Sequence, residues 1–238
     1  MSEQLRQEFN QWAMDGRAAA LESPHRNFAE ELIRLMQIAP RDRILELGCG
    51  EGWALRTMAA LAPEGTLVGL DVSDAMIRRA RAQGVSPENL LYIWSSAEEI
   101  PWQENFFTKA FSLEAFYYFE HPEKALREIH RVLAPGGSLW IVNHLSKENE
   151  LSLRWIPELK VPVQILPAEQ YGALLEQCGY ENFSHRMIPD RRPVPDETPA
   201  APFRDAAELR RFYEAGALLL SARKPAEPPP QGSGPAAS

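Results

Sequence analysis

One stretch constrains this chain more than any other: Ile44-Leu45-Glu46-Leu47-Gly48-Cys49-Gly50-Glu51-Gly52-Trp53. An apolar run carrying one acidic residue leads into three glycines at alternate positions and then into a helical pattern. Glycines at a strand-to-helix turn let a nucleotide-like ligand approach the backbone where a side chain would block it. The amides of the following helix N-terminus point at the same place. The turn therefore predicts a small-cofactor site within an α/β architecture.

The rest of the chain agrees with that architecture. Strands are predicted at Arg43 to Leu47, Thr66 to Leu70 (ending at Asp71), Leu90 to Trp94, Phe107 to Leu113 and Ser138 to Val142. Helices are predicted at Arg26 to Ile38, entered through Ser23-Pro24, at Ala54 to Leu61 and at Asp74 to Ala82 behind an N-capping Ser73. A further helix over Glu123 to Leu133 is stopped by Pro135-Gly136-Gly137. Beyond Ser146 the pattern loosens until a helix at Ala168 to Cys178. Two more strands follow, Tyr180 to Ile188 and Ala217 to Ala222, with a helix between them near Arg204 to Glu214. Alternating strands and helices imply a mostly parallel sheet covered on both faces, with ligands outside the strands' carboxyl ends. Glu46 to Gly52, Asp71, Ser95 to Glu98, Ser112 to Glu114 and Asn143-His144 all fall at such ends, so five segments are expected to converge on one cleft.

Composition excludes several classes. The 238 residues carry a net charge of −8, and no basic cluster is longer than Arg78-Arg79-Ala80-Arg81, which reads as a solvated helix face. A nucleic-acid substrate is disfavoured. No apolar run reaches the roughly 18 residues of a membrane span, and the N-terminus lacks a signal pattern, so a cytoplasmic protein is expected. Cys49 and Cys178 make no zinc motif and no metal is implied. Cys49 reads as a small residue filling a tight turn.

Four runs together resemble the class I S-adenosylmethionine-dependent methyltransferases, most closely the small-molecule group that includes quinone-biosynthesis enzymes. They are Glu46 to Gly52, Gly69-Leu70-Asp71-Val72-Ser73, Ser96-Ala97-Glu98-Glu99-Ile100-Pro101, and Ala125 to Gly137. The resemblance implies a seven-stranded, mostly parallel Rossmann-like sheet with helices on both faces and a C-terminal antiparallel hairpin. It assigns Glu46 and Gly48 to the methionine end of S-adenosylmethionine, with Cys49 in the same turn, and Gly50 and Gly52 to a close backbone approach. Asp71 would take the ribose hydroxyls, Val72 and Met76 would flank the adenine, and Ala97 and Glu98 would lie at its edge. Ser112 and Leu113 would face the sulfonium. Ser96 departs from the family's usual Asp; it can accept one bond at the adenine but carries no charge. Tyr117 and Tyr118 stand near positions where relatives often carry His. A dinucleotide-dependent oxidoreductase is the competing cofactor class, and Trp53 argues against it by filling the third glycine position of that fingerprint.

The resemblance implies methyl transfer to a small-molecule acceptor; the alternative is a protein that binds S-adenosylmethionine or S-adenosylhomocysteine without turnover. His144, Tyr117 and Tyr118 are the candidate catalytic residues. His25 is a further possible base. An unperturbed imidazole pKa of about 6.5 would suit His144 to general-base work, although a loop histidine capping a strand is the plainer reading. Asp71 is singled out because an unpaired carboxylate in a cleft is costly. One domain is expected over residues 1–224. Residues 1–40 would supply a helical lid, with Trp12, Met14 and Arg17. Residues 146–166 would form an acceptor wall, with Trp155, Ile156, Leu159 and Val163. The proline-rich tail at 225–238 is expected to be disordered.

Overall fold

The computed structural model describes residues 3–83, 87–194 and 202–226. Among these, seven strands form one sheet: β1 (Arg43–Leu47), β2 (Thr66–Asp71), β3 (Leu90–Trp94), β4 (Phe107–Leu113), β5 (Leu133–Asn143), β6 (Glu181–Ile188) and β7 (Ala217–Arg223). Their order is β3-β2-β1-β4-β5-β7-β6. The first five run parallel, and β7 lies antiparallel to both β5 and β6. The chain steps outward from β1 to β3 and then returns to the other side of β1 at β4. The β1/β4 boundary is thus the switch point where a crevice opens at the strands' carboxyl ends.

Strand alternation sends side chains to two apolar layers. Ile44, Leu67, Phe111 and Leu219 pack with α3 (Glu22–Met36), α4 (Trp53–Ala59) and α5 (Asp74–Ala82). Leu45, Leu47, Val68, Leu70 and Leu220 pack with α6 (Pro122–Val132) and α7 (Ala168–Gln177). A third, smaller apolar group lies over the strand ends and contains Trp12, Met76, Tyr117, Tyr118 and Leu145.

That third group is fastened by α1 (Glu3–Met14), which is followed by the short α2 (Arg17–Ala20). Asn10 Oδ1 accepts from Ser73 Oγ at 2.6 Å and from the Ala75 amide at 3.1 Å. Arg6 donates to Asp74 at 2.8 Å. Ser73 is also the N-cap of α5, accepting from the Met76 amide at 3.0 Å, so one hydroxyl both starts a helix and holds another against it. Residues 1–40 do not form one layer above the site. Phe28, Leu32 and Met36 of α3 are core residues of the sheet, whereas Phe9 and Trp12 of α1 pack over the strand ends. Met14 is 62% exposed and does not face inward.

Most elements fall within two residues of the sequence expectation; α3 begins four residues early, at Glu22, so that Ser23-Pro24 lie inside its first turn, and β5 departs further. The Pro135-Gly136-Gly137 turn does not end α6. The helix stops at Val132, and Leu133 is already extended and paired with Phe107. β5 then carries Pro135-Gly136-Gly137 as an irregularity, with the register resuming at Lys109 and Ser138. A bulge of this kind reads in sequence as a turn, because both need glycine at positive φ. In the acceptor-wall segment a 3-10 stretch covers Glu150–Glu158. Arg154 ties it to α8 (Ala206–Ala215) through a two-pronged contact with Glu208, at 2.7 and 2.9 Å. The expected disordered tail lies outside the described residues from 227 onward.

Candidate functional site

A cavity of about 430 Å³ opens at the carboxyl ends of β1, β2, β4 and β5. All five segments expected to converge contribute to it. Glu46, Gly48, Cys49, Gly50, Asp71, Val72, Met76, Ser96, Ala97, Glu98, Leu113, Tyr117, Tyr118 and His144 line it; Gly52 and Ser112 do not.

The turn after β1 explains the difference among its glycines. Gly50 has φ +53°, and a Cβ there would meet nothing within 4 Å. It is the position of this turn where backbone faces open cavity. Gly52, at φ +75°, would drive a Cβ to 2.3 Å from the Tyr92 ring. Tyr92 also donates from its hydroxyl to the Gly52 carbonyl at 2.9 Å. Packing alone therefore requires glycine at position 52. Ser112 is likewise structural: it is fully buried and bonds the Leu47 carbonyl at 3.1 Å, tying β4 to β1.

Two carboxyls stand at this end of the cavity. Asp71 is not unpaired, contrary to expectation. Its Oδ2 accepts from the Gly50 amide and its Oδ1 from the Ser73 amide, each at 2.8 Å. Burial still raises its pKa to about 6, with those two amides pulling the other way. Glu46 is 3% exposed, and its Oε2 has no hydrogen-bond partner. Burial, reinforced by the nearby Asp71 charge, pushes its carboxyl well above the usual range. Further along, Ser96 Oγ accepts from the Glu98 amide at 3.2 Å, and Glu98 accepts from the His121 amide at 3.2 Å.

The other end of the cavity is organised by Glu114, which sits directly after β4 at φ +59°. Its carboxylate accepts from the His144 amide at 2.7 Å and from the Tyr117 hydroxyl at 3.2 Å. Burial raises its pKa to about 8. His25 Nε2 lies 4.0 Å from Glu114 Oε2. The His144 ring stacks on Phe212 at 4.6 Å, and its Nε2 is buried without a partner. Burial lowers His25 to about 4 and His144 to about 3, with the Arg192 charge adding to both. Both imidazoles are therefore neutral near pH 7. His144 is a far weaker base than the unperturbed histidine read from sequence. Burial likewise pushes the Tyr117 and Tyr118 phenols up, so they act as proton-bearing donors and not as bases.

Aromatic side chains form the walls. Tyr118 meets Phe9 edge-on at 4.9 Å, and Arg17 lies over the Trp12 ring at 3.7 Å. Trp155 packs against Phe212 at 4.9 Å and lines the cavity with Leu159. Ile156 and Val163 are not among the lining residues. Sequence reasoning did not single out Glu114 by itself, although an acidic residue directly after an apolar strand was a usable signal. Arg192 and Phe212 reach the cavity from distant segments and carry no local signal.

Comparison with known proteins decides the family. A family model described as a methyltransferase domain matches residues 45–141. A ubiquinone/menaquinone biosynthesis C-methyltransferase of Ectopseudomonas mendocina is 33% identical over 175 residues, covering 70% of this chain and 67% of that protein. This chain belongs to the S-adenosylmethionine-dependent methyltransferases. The 27-O-demethylrifamycin SV methyltransferase of Amycolatopsis mediterranei is 25% identical over 70% of this chain and 64% of its own length. The matches span between 38% and 67% of the length of the curated relatives. Among solved structures, the putative methyltransferase of Haloferax volcanii, in complex with the Trm112 methyltransferase activator, has a TM-score of 0.86 at 27% identity. It is covered over 92% of this chain and 98% of that one. The glycine turn follows β1 at the switch point of the sheet, and Asp71 ends the neighbouring β2. Among the described residues no helix is long and apolar enough to cross a membrane.

Proposed function

We propose that this methyltransferase transfers the methyl group of S-adenosylmethionine to a small molecule held beneath α1 and the 150–158 segment. The observation that carries this reading is one cavity with two chemically distinct ends: Glu46, Gly50 and Asp71 at one, Glu114, Tyr117 and His144 at the other. The residues fit the cofactor. The orphaned Oε2 of Glu46 suits an ammonium group. Gly50 leaves open space beside the turn. Each Asp71 oxygen keeps a free lone pair after its single amide bond, enough for two ribose hydroxyls. Val72 and Met76 offer apolar surface for the adenine. When bound, S-adenosylmethionine supplies an electrophilic methyl group whose S–C bond breaks as the acceptor's bond to carbon forms.

The protein's part is alignment and exclusion of water. Leu113 and the aromatic walls contributed by Phe9, Trp12, Tyr118 and Trp155 desolvate the acceptor. Glu114, held by the His144 amide and the Tyr117 hydroxyl, forms the polar surface that would orient it. Neutral His25 and His144 offer acceptor nitrogens for a hydroxyl or amine proton. The relatives are named for ubiquinone/menaquinone biosynthesis and for 27-O-demethylrifamycin SV, and the apolar aromatic walls suit an apolar or aromatic acceptor. A net charge of −8 disfavours nucleic acid.

The reading is tested by incubating the protein with S-adenosylmethionine and a panel of phenols, hydroquinones and amines, and following S-adenosylhomocysteine release. Acceptor-dependent release supports it. Tight cofactor binding with no turnover on any acceptor would favour the sensor reading. The Haloferax volcanii likeness supports a partner too: we propose a small activating protein of the Trm112 kind. β3 is a sheet edge on which Leu91 and Trp94 are 46% and 49% exposed. Co-purification with such an activator, lost in Leu91→Lys, is the expected result.

A further inference from the structure

His25, Glu114 and His144 come from three separate segments: the first turn of α3, the residue after β4, and the residue after β5. One ring nitrogen from each histidine and one carboxylate oxygen all lie within 4.8 Å of one another. Two imidazoles and a carboxyl group, which would give up its proton to the solvent on binding, form a donor set that suits borderline divalent ions such as Zn²⁺, Fe²⁺ and Co²⁺. The three groups are also oriented from behind. Glu114 is held by the His144 amide and the Tyr117 hydroxyl. The His144 ring is fixed by stacking on Phe212 and by the edge of Phe28 at 5.1 Å. Such outer contacts aim metal ligands and set their geometry.

We infer that these three side chains bind a divalent transition-metal ion at the acceptor end of the cavity. His144 Nε2 is buried and lacks a partner, which a neutral structural histidine would normally find. Arg192, the nearby cation, is already engaged by Asp190 at 2.6 and 2.9 Å, so its charge is offset. Ligands at about 2.0–2.2 Å from an ion stand roughly 3–3.5 Å apart, so the trio closes by about 1 Å on binding. That movement falls to the side chain of His25, which is 15% exposed near the start of α3. Three protein ligands leave coordination positions facing the cavity, where an oxygen or nitrogen of the acceptor can bind. Only that last role rests on the proposed methyl transfer; metal binding itself does not.

The test uses the full chain, stripped with a chelator and titrated with Co²⁺ alone while visible d–d absorption is recorded. S-adenosylmethionine binding is measured on the same samples. The expected result is one Co²⁺ per chain, displaced by Zn²⁺, with affinity weakened at least roughly tenfold in His25→Ala and in Glu114→Gln. Retained cofactor binding in those variants shows that they fold. Absence of a Co²⁺ spectrum in the wild-type protein, or equal affinity in both variants, would overturn the metal site. Failure of wild type to bind S-adenosylmethionine would instead count against the methyl-transfer reading and leave the Co²⁺ result standing.

Discussion

At the cofactor end of the cavity, the polar groups belong to Glu46, Gly50 and Asp71, carried by two neighbouring parallel strands and the turn between them and α4. At the acceptor end they belong to His25, Glu114 and His144, gathered from a helix and two later strand ends. The first end is built largely from backbone: the Gly50 and Ser73 amides position Asp71, and open space beside Gly50 admits a ligand. The second is built from side chains that meet only when β5 has joined the sheet beside β4 and α3 has packed on it. A backbone site leaves its signature in a short run of sequence. A side-chain site assembled by tertiary contact does not.

Gly52→Ala should have the largest effect on the backbone end. Its Cβ would fall 2.3 Å from the Tyr92 ring at a positive φ. Overpacking together with the left-handed backbone predicts a loss of about 3 kcal/mol in a denaturant titration. An unchanged midpoint would show that Tyr92 does not fix this turn.

Gly50→Ala separates packing from ligand approach. With nothing within 4 Å of its Cβ, the fold should lose only about 1 kcal/mol, the cost of its positive φ. Cofactor affinity should nevertheless fall at least about tenfold, because the methyl occupies the approach; steric exclusion of this sort costs upward of 1.4 kcal/mol. Equal affinity in the variant and the parent would place the ligand elsewhere.

The smallest effect is a pH dependence. Burial raises Asp71 to about 6, so in the free protein its ionisation costs stability as pH rises from the ordinary carboxylate value through 6. Ribose hydroxyls donate to the ionised form. Cofactor affinity should therefore weaken as pH falls below 6, approaching about tenfold per unit. The Asp71→Asn variant should lack this component. A profile identical in both proteins would remove Asp71 from cofactor recognition.

How much was legible in the sequence follows the same division. β1, β2 and β4 were readable because parallel strands buried on both faces are short apolar runs, β3 because it is apolar throughout although it lies at the edge, and α5 because Ser73 is an unambiguous cap. The seven-stranded sheet and the cofactor class came from the glycine turn and the runs that accompany it. The Tyr92 ring against Gly52 and the Ser112 bond to the Leu47 carbonyl were not legible, since sequence does not distinguish a glycine facing ligand from one packed on a ring, or a strand-end serine in a cleft from one tied to a neighbouring strand. His144 was read at its unperturbed pKa; its stacking on Phe212 and burial beside Arg192 are tertiary facts. Glu114 was visible only as one residue of a strand-end segment. Its importance comes from two partners, Tyr117 and the His144 amide, that the fold brings to it.

The most direct test of the division between the two ends is calorimetric titration of S-adenosylmethionine at neutral pH into the wild-type protein, Asp71→Ala and Glu114→Gln. Each charge-assisted bond lost at Asp71 is worth about 1.5–3 kcal/mol, so the account predicts binding to wild type, a drop of about a hundredfold or more in Asp71→Ala, and near-wild-type affinity in Glu114→Gln. Asp71→Ala binding as wild type does, or Glu114→Gln losing as much affinity as Asp71→Ala, would contradict it.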